Sequence, residues 1–205
     1  MEAAPPTVRI PGDLPTLETE RLILRKLTPA DEADVFAYAS DPEVARLVPW
    51  EAHRSLDDTR RFLQGVLERY TRGEPDVWAI AEKASGRVIG TIRMGEYRAQ
   101  HGRASVGYAL ARPYWNRGLT TEALRAVLRF GFDVVGLNRI FAVCYPEDPA
   151  SARVMENVGM TYEGTLRDAA FEKGRYRSLK VYAILRREYD APGRAPSPPA
   201  RGGEP

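Results

Sequence analysis

The run Asn116-Arg117-Gly118-Leu119-Thr120-Thr121 holds the residue types that grip a phosphate. Gly118 lets the backbone come close to a ligand with no Cβ in the way. Thr120 and Thr121 place hydroxyl donors, and Arg117 adds a full positive charge. The spacing of Leu124, Val127 and Leu128 predicts a helix opening near Gly118. The first amides of a helix have no intrahelical partner, and roughly half a positive charge gathers at that end. The run is therefore a candidate cradle for a phosphate or pyrophosphate. A plain strand–helix turn that only caps its helix uses the same residues, so the loop alone leaves both readings open. It contains neither G-x-x-x-x-G-K-[ST] nor G-x-G-x-x-G, which disfavours the common nucleotide-binding folds.

Other reactive side chains are few. Cys144 sits in the apolar run Arg139–Tyr145 with no His beside it, and reads as a buried structural thiol rather than a nucleophile. His53 and His101 have no carboxylate or Cys at ligand spacing, so no metal is indicated and both read as surface residues.

The elements that must position the loop follow from pattern. Val106 to Leu110 reads as a strand before it, and the helix after it stops at Gly136 ahead of the strand Arg139–Tyr145. Strand, helix, strand in that order implies a parallel pair joined by a crossover. Upstream, Leu17 to Lys26 reads as one strand, and Thr28-Pro29 starts a helix whose packing face is Val35, Phe36 and Tyr38. Asp41-Pro42 opens a short helical turn that ends by Leu47-Val48-Pro49-Trp50. Ser55 begins an amphipathic helix carrying Phe62, Leu63, Val66, Leu67 and Tyr70. Strands are expected at Val77–Glu82, Val88–Tyr97 and Ala104–Leu110, with turns at Ala84-Ser85-Gly86 and Gln100-His101-Gly102. Asp148-Pro149 starts a further helix that Gly159 ends, and strands Met160–Phe171 and Arg175–Arg186 flank Lys173-Gly174.

Composition narrows the classes. The 205 residues suit one domain with a real core, and 43% hydrophobic with 28% charged residues are ordinary globular values. A formal charge of +2 with scattered Arg argues against nucleic acid or an acidic membrane as partner. No run approaches the roughly eighteen apolar residues of a membrane span, and M-E-A-A-P-P lacks the regions of a signal peptide. With a single cysteine there is no internal disulfide, and the expected location is cytoplasmic. Residues 1–15, with four prolines, read as a flexible arm, and the Pro- and Gly-rich residues 190–205 as a disordered tail around a domain at 16–189.

The stretch Y-W-N-R-G-L-T-T-E-A resembles the acetyl-CoA loop of the Gcn5-related N-acetyltransferases (GNAT), whose usual form is R/Q-x-x-G-x-G/A. It is similar in particular to the branch of ribosomal-protein N-terminal acetyltransferases RimJ and RimL, where a Trp takes the first position as Trp115 does. Gly118 matches the family glycine, whereas Thr120 replaces the usual Gly or Ala. The resemblance extends to D-P-A-S-A-R-V-M-E-N-V-G-M-T-Y-E-G, similar to N-x-x-S-x-R-v-l-E-k-x-G-F-x-x-E-G, and to L-E-T-E-R-L-I-L-R-K-L. It covers most of residues 17–188, with the three motifs in the family's order.

The resemblance implies an α+β (α/β) fold: a mixed, mostly antiparallel central sheet of about seven strands with a splayed parallel pair, flanked by about four helices. It implies acetyl-CoA as co-substrate, held by Leu110, Trp115, Asn116, Arg117, Gly118, Leu119, Thr120 and Thr121. In the family, pantetheine slips between the splayed strands, and an amide in the region of Ala109 or Leu110 is free to donate to the thioester oxygen. The family's Asn at the head of the next helix is Asp148 here, which would either contact pantetheine or only cap its helix. Ser151 matches the serine that protonates the leaving thiolate, and Tyr145 is a second candidate for that acid. Some RimL-like enzymes place a Glu base where this chain has Ala170. Ser105 occupies the other family position for an acid, and Asp168, Glu172 and Glu96 are the nearby carboxylates.

The first two helices wall the acceptor site in the family, making Val48, Pro49 and Trp50 candidates to line it. An α-amine with pKa about 7.8 is some 2.6 units more acidic than a lysine, and so about 3.5 kcal/mol easier to deprotonate. Lack of an obvious base therefore favours a protein N-terminus as acceptor, or a weakly basic small amine. A small-molecule acetyltransferase acting on an aminoglycoside or polyamine is the alternative, and a noncatalytic acyl-CoA sensor a third reading. A homodimer is left open.

Overall fold

In the computed structural model, which describes residues 12–191, the first apolar run is two strands and not one. β1 (Leu17–Glu18) and β2 (Leu22–Arg25) fold back on each other, with Leu17 opposite Leu24. The cause is Thr19, whose hydroxyl accepts from the Leu22 amide at 3.0 Å while its own amide donates to the Leu22 carbonyl. A hydroxyl that bonds the backbone three residues on makes a turn inside an otherwise extended sequence.

The chain continues through a 3-10 turn at Pro29–Asp31 into α1 (Glu32–Ala39). The Asp31 carboxylate accepts from the Thr28 amide at 2.7 Å. α2 (Pro42–Ala45) is capped by Asp41, which accepts from the Glu43 amide. α3 (Leu56–Thr71) starts at Ser55, whose amide donates to Asp58, and buries Thr59, Leu63 and Val66. Then come β3 (Val77–Glu82), β4 (Val88–Arg98) and β5 (Arg103–Leu110) as successive antiparallel neighbours. α4 (Leu119–Arg129) runs into a π-turn at Phe130–Val134 and leads to β6 (Arg139–Cys144). α5 (Pro149–Asn157), β7 (Thr161–Glu172), β8 (Arg175–Leu185) and the short α6 (Arg186–Tyr189) finish the described residues.

The strands form one sheet in the order β1-β2-β3-β4-β5-β6-β8-β7. It is mixed, with β5–β6 the parallel pair, as the crossover argument requires. The eighth strand arises from the split of the first run. One apolar cluster joins the sheet to α4 and α5 through Leu124, Leu128, Met155 and Trp78, and a second joins it to α1–α3 through Val35, Leu63, Val66 and Ala79. Burying apolar side chains on both faces of one sheet is what makes the layers a single body.

Of the expected flexible arm, residues 12–15 lie against the sheet: Leu14 is buried and the Pro15 carbonyl accepts from the Trp78 indole at 2.9 Å. Residues 1–11 of that arm, and 192–205 of the expected tail, lie outside the described residues. Among the described residues no helix is long and apolar enough to cross a membrane.

Candidate active site

The parallel pairing of β5 with β6 covers three positions, Arg103 with Arg139, Ala104 with Ile140 and Ser105 with Phe141. Beyond them β5 runs on to Leu110 beside β4, and β6 runs on to Cys144 beside β8. The two strands therefore part, and a cleft of about 380 Å³ opens where they separate. Its lining includes Tyr108, Ala109 and Leu110 from β5, the turn and first residues of α4, and Asp148, Ser151 and Val154 from α5. Val44, Leu47 and Val48 close it from the side of α2.

Alternation along β5 decides which backbone groups face the gap. The Ala111 amide donates across to Ile89, placing Ala111, and with it Ala109 and Gly107, on the bonded side toward β4. Tyr108 and Leu110 then direct their amides and carbonyls toward β6. Of the expected pair, the geometry thus singles out Leu110 rather than Ala109. The Leu110 carbonyl already accepts from the Trp115 indole at 2.6 Å.

That bond shapes the loop before α4. A 3-10 turn over Arg112–Tyr114 brings Trp115 back under the end of β5. Asn116 and Gly118 both take left-handed backbone, at φ 59 and φ 74, and α4 starts. The first bond of its ladder runs from the Glu122 amide to the Gly118 carbonyl, so the amides of Leu119, Thr120 and Thr121 come before it. Asn116, Gly118, Leu119, Thr120 and Thr121 all line the cleft. Arg117 does not: its guanidinium lies 5.4 Å from the Tyr114 ring centre, and its carbonyl accepts from Arg21.

A half-buried carboxylate anchors this end of α4. Glu122 accepts from the Thr19 hydroxyl at 2.5 Å, the Arg21 amide at 2.8 Å and Arg21 Nε at 2.7 Å. Burial opposes its ionisation, yet the bonds from Thr19 and Arg21 outweigh it and hold the carboxyl below its ordinary value. The split of the first strand and the start of α4 thus share one residue, which no local pattern in the sequence joins.

Asp148 is buried and caps α5, accepting from the Ser151 amide at 3.0 Å, while also lining the cleft. Ser151 faces the cleft beside it, and its carbonyl accepts from the Tyr108 hydroxyl at 3.2 Å. Tyr145 is not brought together with these residues: it is buried, outside the cleft lining, and its hydroxyl donates to Glu172 at 2.5 Å. Burial, that bond and the Glu172 charge push its pKa up. Cys144 is buried as expected, and burial followed by the Asp148 charge pushes its thiol up to about 11.

Of Val48, Pro49 and Trp50, the residues expected to line an acceptor site, the cleft lining includes one. Val48 lines the cleft, but Trp50 packs against His53 with ring centres 5.8 Å apart. His53 is half-buried rather than fully at the surface: its Nδ1 lies 2.8 Å from the Thr59 hydroxyl, and burial lowers its pKa. Among the described residues no group of His, Cys, Asp and Glu could hold a metal ion. Sequence reasoning missed Tyr108, Val44 and Leu47, and the face Ala150, Arg153, Val154, Asn157. Only the last carried a signal, its helical spacing on α5.

The chain matches the family model described as "Acetyltransferase (GNAT) domain" over residues 21–161. It is 34% identical to the uncharacterized N-acetyltransferase p20 of Bacillus licheniformis, over 85% of this chain and 98% of that protein. It is 27% identical to the ribosomal-protein-serine acetyltransferase of Escherichia coli (strain K12), over 64% of this chain and 73% of that protein. Among solved structures, a GNAT-family acetyltransferase of Bacillus anthracis shares the fold at TM-score 0.75 and 29% identity, covering 83% of this chain and 98% of the other. RimJ of Mycobacterium smegmatis, solved with CoA-disulfide, shares it at TM-score 0.76 and 23% identity, covering 88% and 92%.

Proposed function

Because the chain belongs to the GNAT acetyltransferases and is an N-acetyltransferase, we propose that it moves the acetyl group of acetyl-CoA to the N-terminal α-amine of a protein. The observation that carries this is the parting of β5 from β6 after Ser105 and Phe141, directly beside the open N-terminus of α4. A thioester on an extended arm fits between two parted strands while its diphosphate meets the amides of Leu119, Thr120 and Thr121. Asn116 and Gly118 complete the cradle, and Trp115 holds the turn in place from beneath.

In this reading the amine attacks the thioester carbonyl directly. The Leu110 amide, facing the gap, donates to the oxygen as negative charge builds on it. Ser151 donates a proton to the departing thiolate, positioned by the bonds its backbone makes to Asp148 and Tyr108. Cys144 takes no part, since a thiol with pKa about 11 stays protonated at neutral pH.

The acceptor enters past Val44, Leu47 and Val48, an apolar rim suited to the first side chain of a peptide. At neutral pH roughly a tenth of an α-amine is already neutral, against a far smaller share of lysine. Similarity to a ribosomal-protein-serine acetyltransferase supports a protein N-terminus, and a cytoplasmic location fits such an acceptor. The test is a screen reading free CoA with peptides of varied N-terminus, free lysine, polyamines and aminoglycosides. Peptide α-amines are expected to give the highest kcat/KM. Preference for a polyamine or aminoglycoside would move the assignment to small amines, and CoA release with none of them would leave a sensor.

A further inference from the structure

We infer that Glu172, acting through the Tyr145 hydroxyl, takes the proton that the acceptor ammonium loses. The inference rests on the acetyl-transfer reading above and assigns a proton path that it lacks.

Three observations place the pair behind the cleft lining, on the face of the sheet that α2 covers. First, Tyr145 directly follows the last residue of β6, the jaw of the gap opposite Leu110. Second, register puts the pair on one face of the sheet. Phe141 is opposite Ser105, so Phe141, Val143 and Tyr145 share the face of Ser105, Gly107 and Ala109. Ala170 is opposite Arg177 and Glu172 opposite Arg175, and the Arg177 guanidinium lies 3.7 Å from the Tyr145 ring centre, which brings β7 and β8 to that same face. Third, the residue after Glu172 ties the hairpin to the cleft wall: Lys173 Nζ donates to the Ala45 carbonyl, next to the lining residue Val44.

Of the carboxylates considered from sequence, Glu96 and Asp168 sit at irregularities of their strands in left-handed backbone, at φ 51 and φ 48. Ala170 shares the right face but has no proton-accepting group. Glu172 alone of these four positions meets a buried hydroxyl, at 2.5 Å.

The balance is simple. An ammonium N–H proton passes to Tyr145 Oη as the Tyr145 O–H proton passes to the Glu172 carboxylate. The nitrogen lone pair thus freed forms the bond to the acetyl carbon; as the C–S bond breaks, Ser151 gives its proton to the thiolate sulfur and takes up the nitrogen's second proton, and Glu172 ends protonated. A tyrosine whose own ionisation is suppressed stays neutral and serves as a relay without holding charge. The charged groups around the pair are Arg177 on β8, Glu147 before α5, Lys173 and Arg175 at the hairpin tip, and Glu51 after α2. Arg177 is itself paired with Glu147 at 2.6 Å.

The test compares wild type with Glu172→Gln and Tyr145→Phe, using the best peptide α-amine and acetyl-CoA from pH 6.5 to 9 (a window of about one unit either side of the amine's pKa near 7.8). Gln still accepts the Tyr145 hydrogen bond but cannot take the proton, and Phe keeps its ring beneath Arg177. Each variant is expected to lose up to about tenfold in kcat near pH 7, with an unchanged KM for acetyl-CoA, and to recover as the amine deprotonates by itself. The double variant should be no slower than either single one, because the pair acts as a unit. A Glu172→Gln enzyme with wild-type kcat and pH profile overturns the assignment alone. So does a loss that is constant across pH, which marks a structural role. A wild-type chain that acetylates no amine sinks the acetyl-transfer reading and this assignment with it.

Discussion

The indole N–H of Trp115 donates to the Leu110 carbonyl at 2.6 Å, tying the turn before α4 back to the end of β5. One bond thus ties the amide that faces the strand gap to the turn that opens α4.

Trp115→Phe keeps most of the apolar packing and removes that bond. A net loss of about 1 kcal/mol is expected, or roughly 2–4 °C in Tm for a chain of this size. Affinity for acetyl-CoA should weaken several-fold with it, since the two halves of the site are no longer held in register. Scanning calorimetry and titration calorimetry read the two effects separately. A stability loss with unchanged affinity would show that Trp115 serves the fold only.

Gly118 holds φ 74, and a Cβ there would meet only Arg21 Nη2 at 3.6 Å. Gly118→Glu therefore has room to fold, at a backbone cost of about 1–2 kcal/mol. It places a carboxylate at an end of α4 expected to receive a diphosphate. Loss of measurable acetyl-CoA binding with a native circular dichroism spectrum is the expected outcome. Unchanged calorimetric affinity would remove the turn from the binding site.

Glu122 should leave a mark on acid stability. Its carboxyl is held low in the folded state, so the stability it confers is present above its unfolded pKa, about 4.3, and disappears as pH falls through the folded value. Glu122→Gln should be less stable than wild type at pH 7, by about 1–3 kcal/mol for a hydrogen-bonded charge lost. The gap should narrow as pH falls below the unfolded value and close once pH has passed the lower folded value. Urea unfolding midpoints across pH give the comparison; parallel curves would refute the coupling between Thr19, Arg21 and α4.

Ser151→Ala should bind acetyl-CoA as wild type does and lose turnover by about a hundredfold, the usual worth of a positioned acid. Cys144→Ala is the control, expected to keep its rate. Full activity in the serine variant would leave the thiolate to be protonated by solvent.

Local signals were enough for the turn that opens α4. Gly118 before Leu124, Val127 and Leu128 announces a turn opening a helix, and the structure places Asn116, Gly118, Leu119, Thr120 and Thr121 on one cleft. Asp148 before Pro149 was legible as a cap for the same reason, since a cap is made by neighbours in the chain. His53 is half-buried because Trp50 and Phe62 each lie against its ring, which hydropathy at one position does not encode.

Thr19 shows where that reading stops: its turn within Leu17–Arg25 is secured by Glu122, about a hundred residues away. Tyr145 and Glu172 likewise meet only because β8 lies between β6 and β7. From the sequence alone came the order of elements, the family resemblance and the helix end able to hold a diphosphate, because spacing along a chain dictates periodicity and caps. Tertiary structure decided where β5 and β6 part, which strand face Glu172 occupies and what each hydroxyl bonds to. Those depend on register between distant strands, and register is set by packing the whole sheet at once.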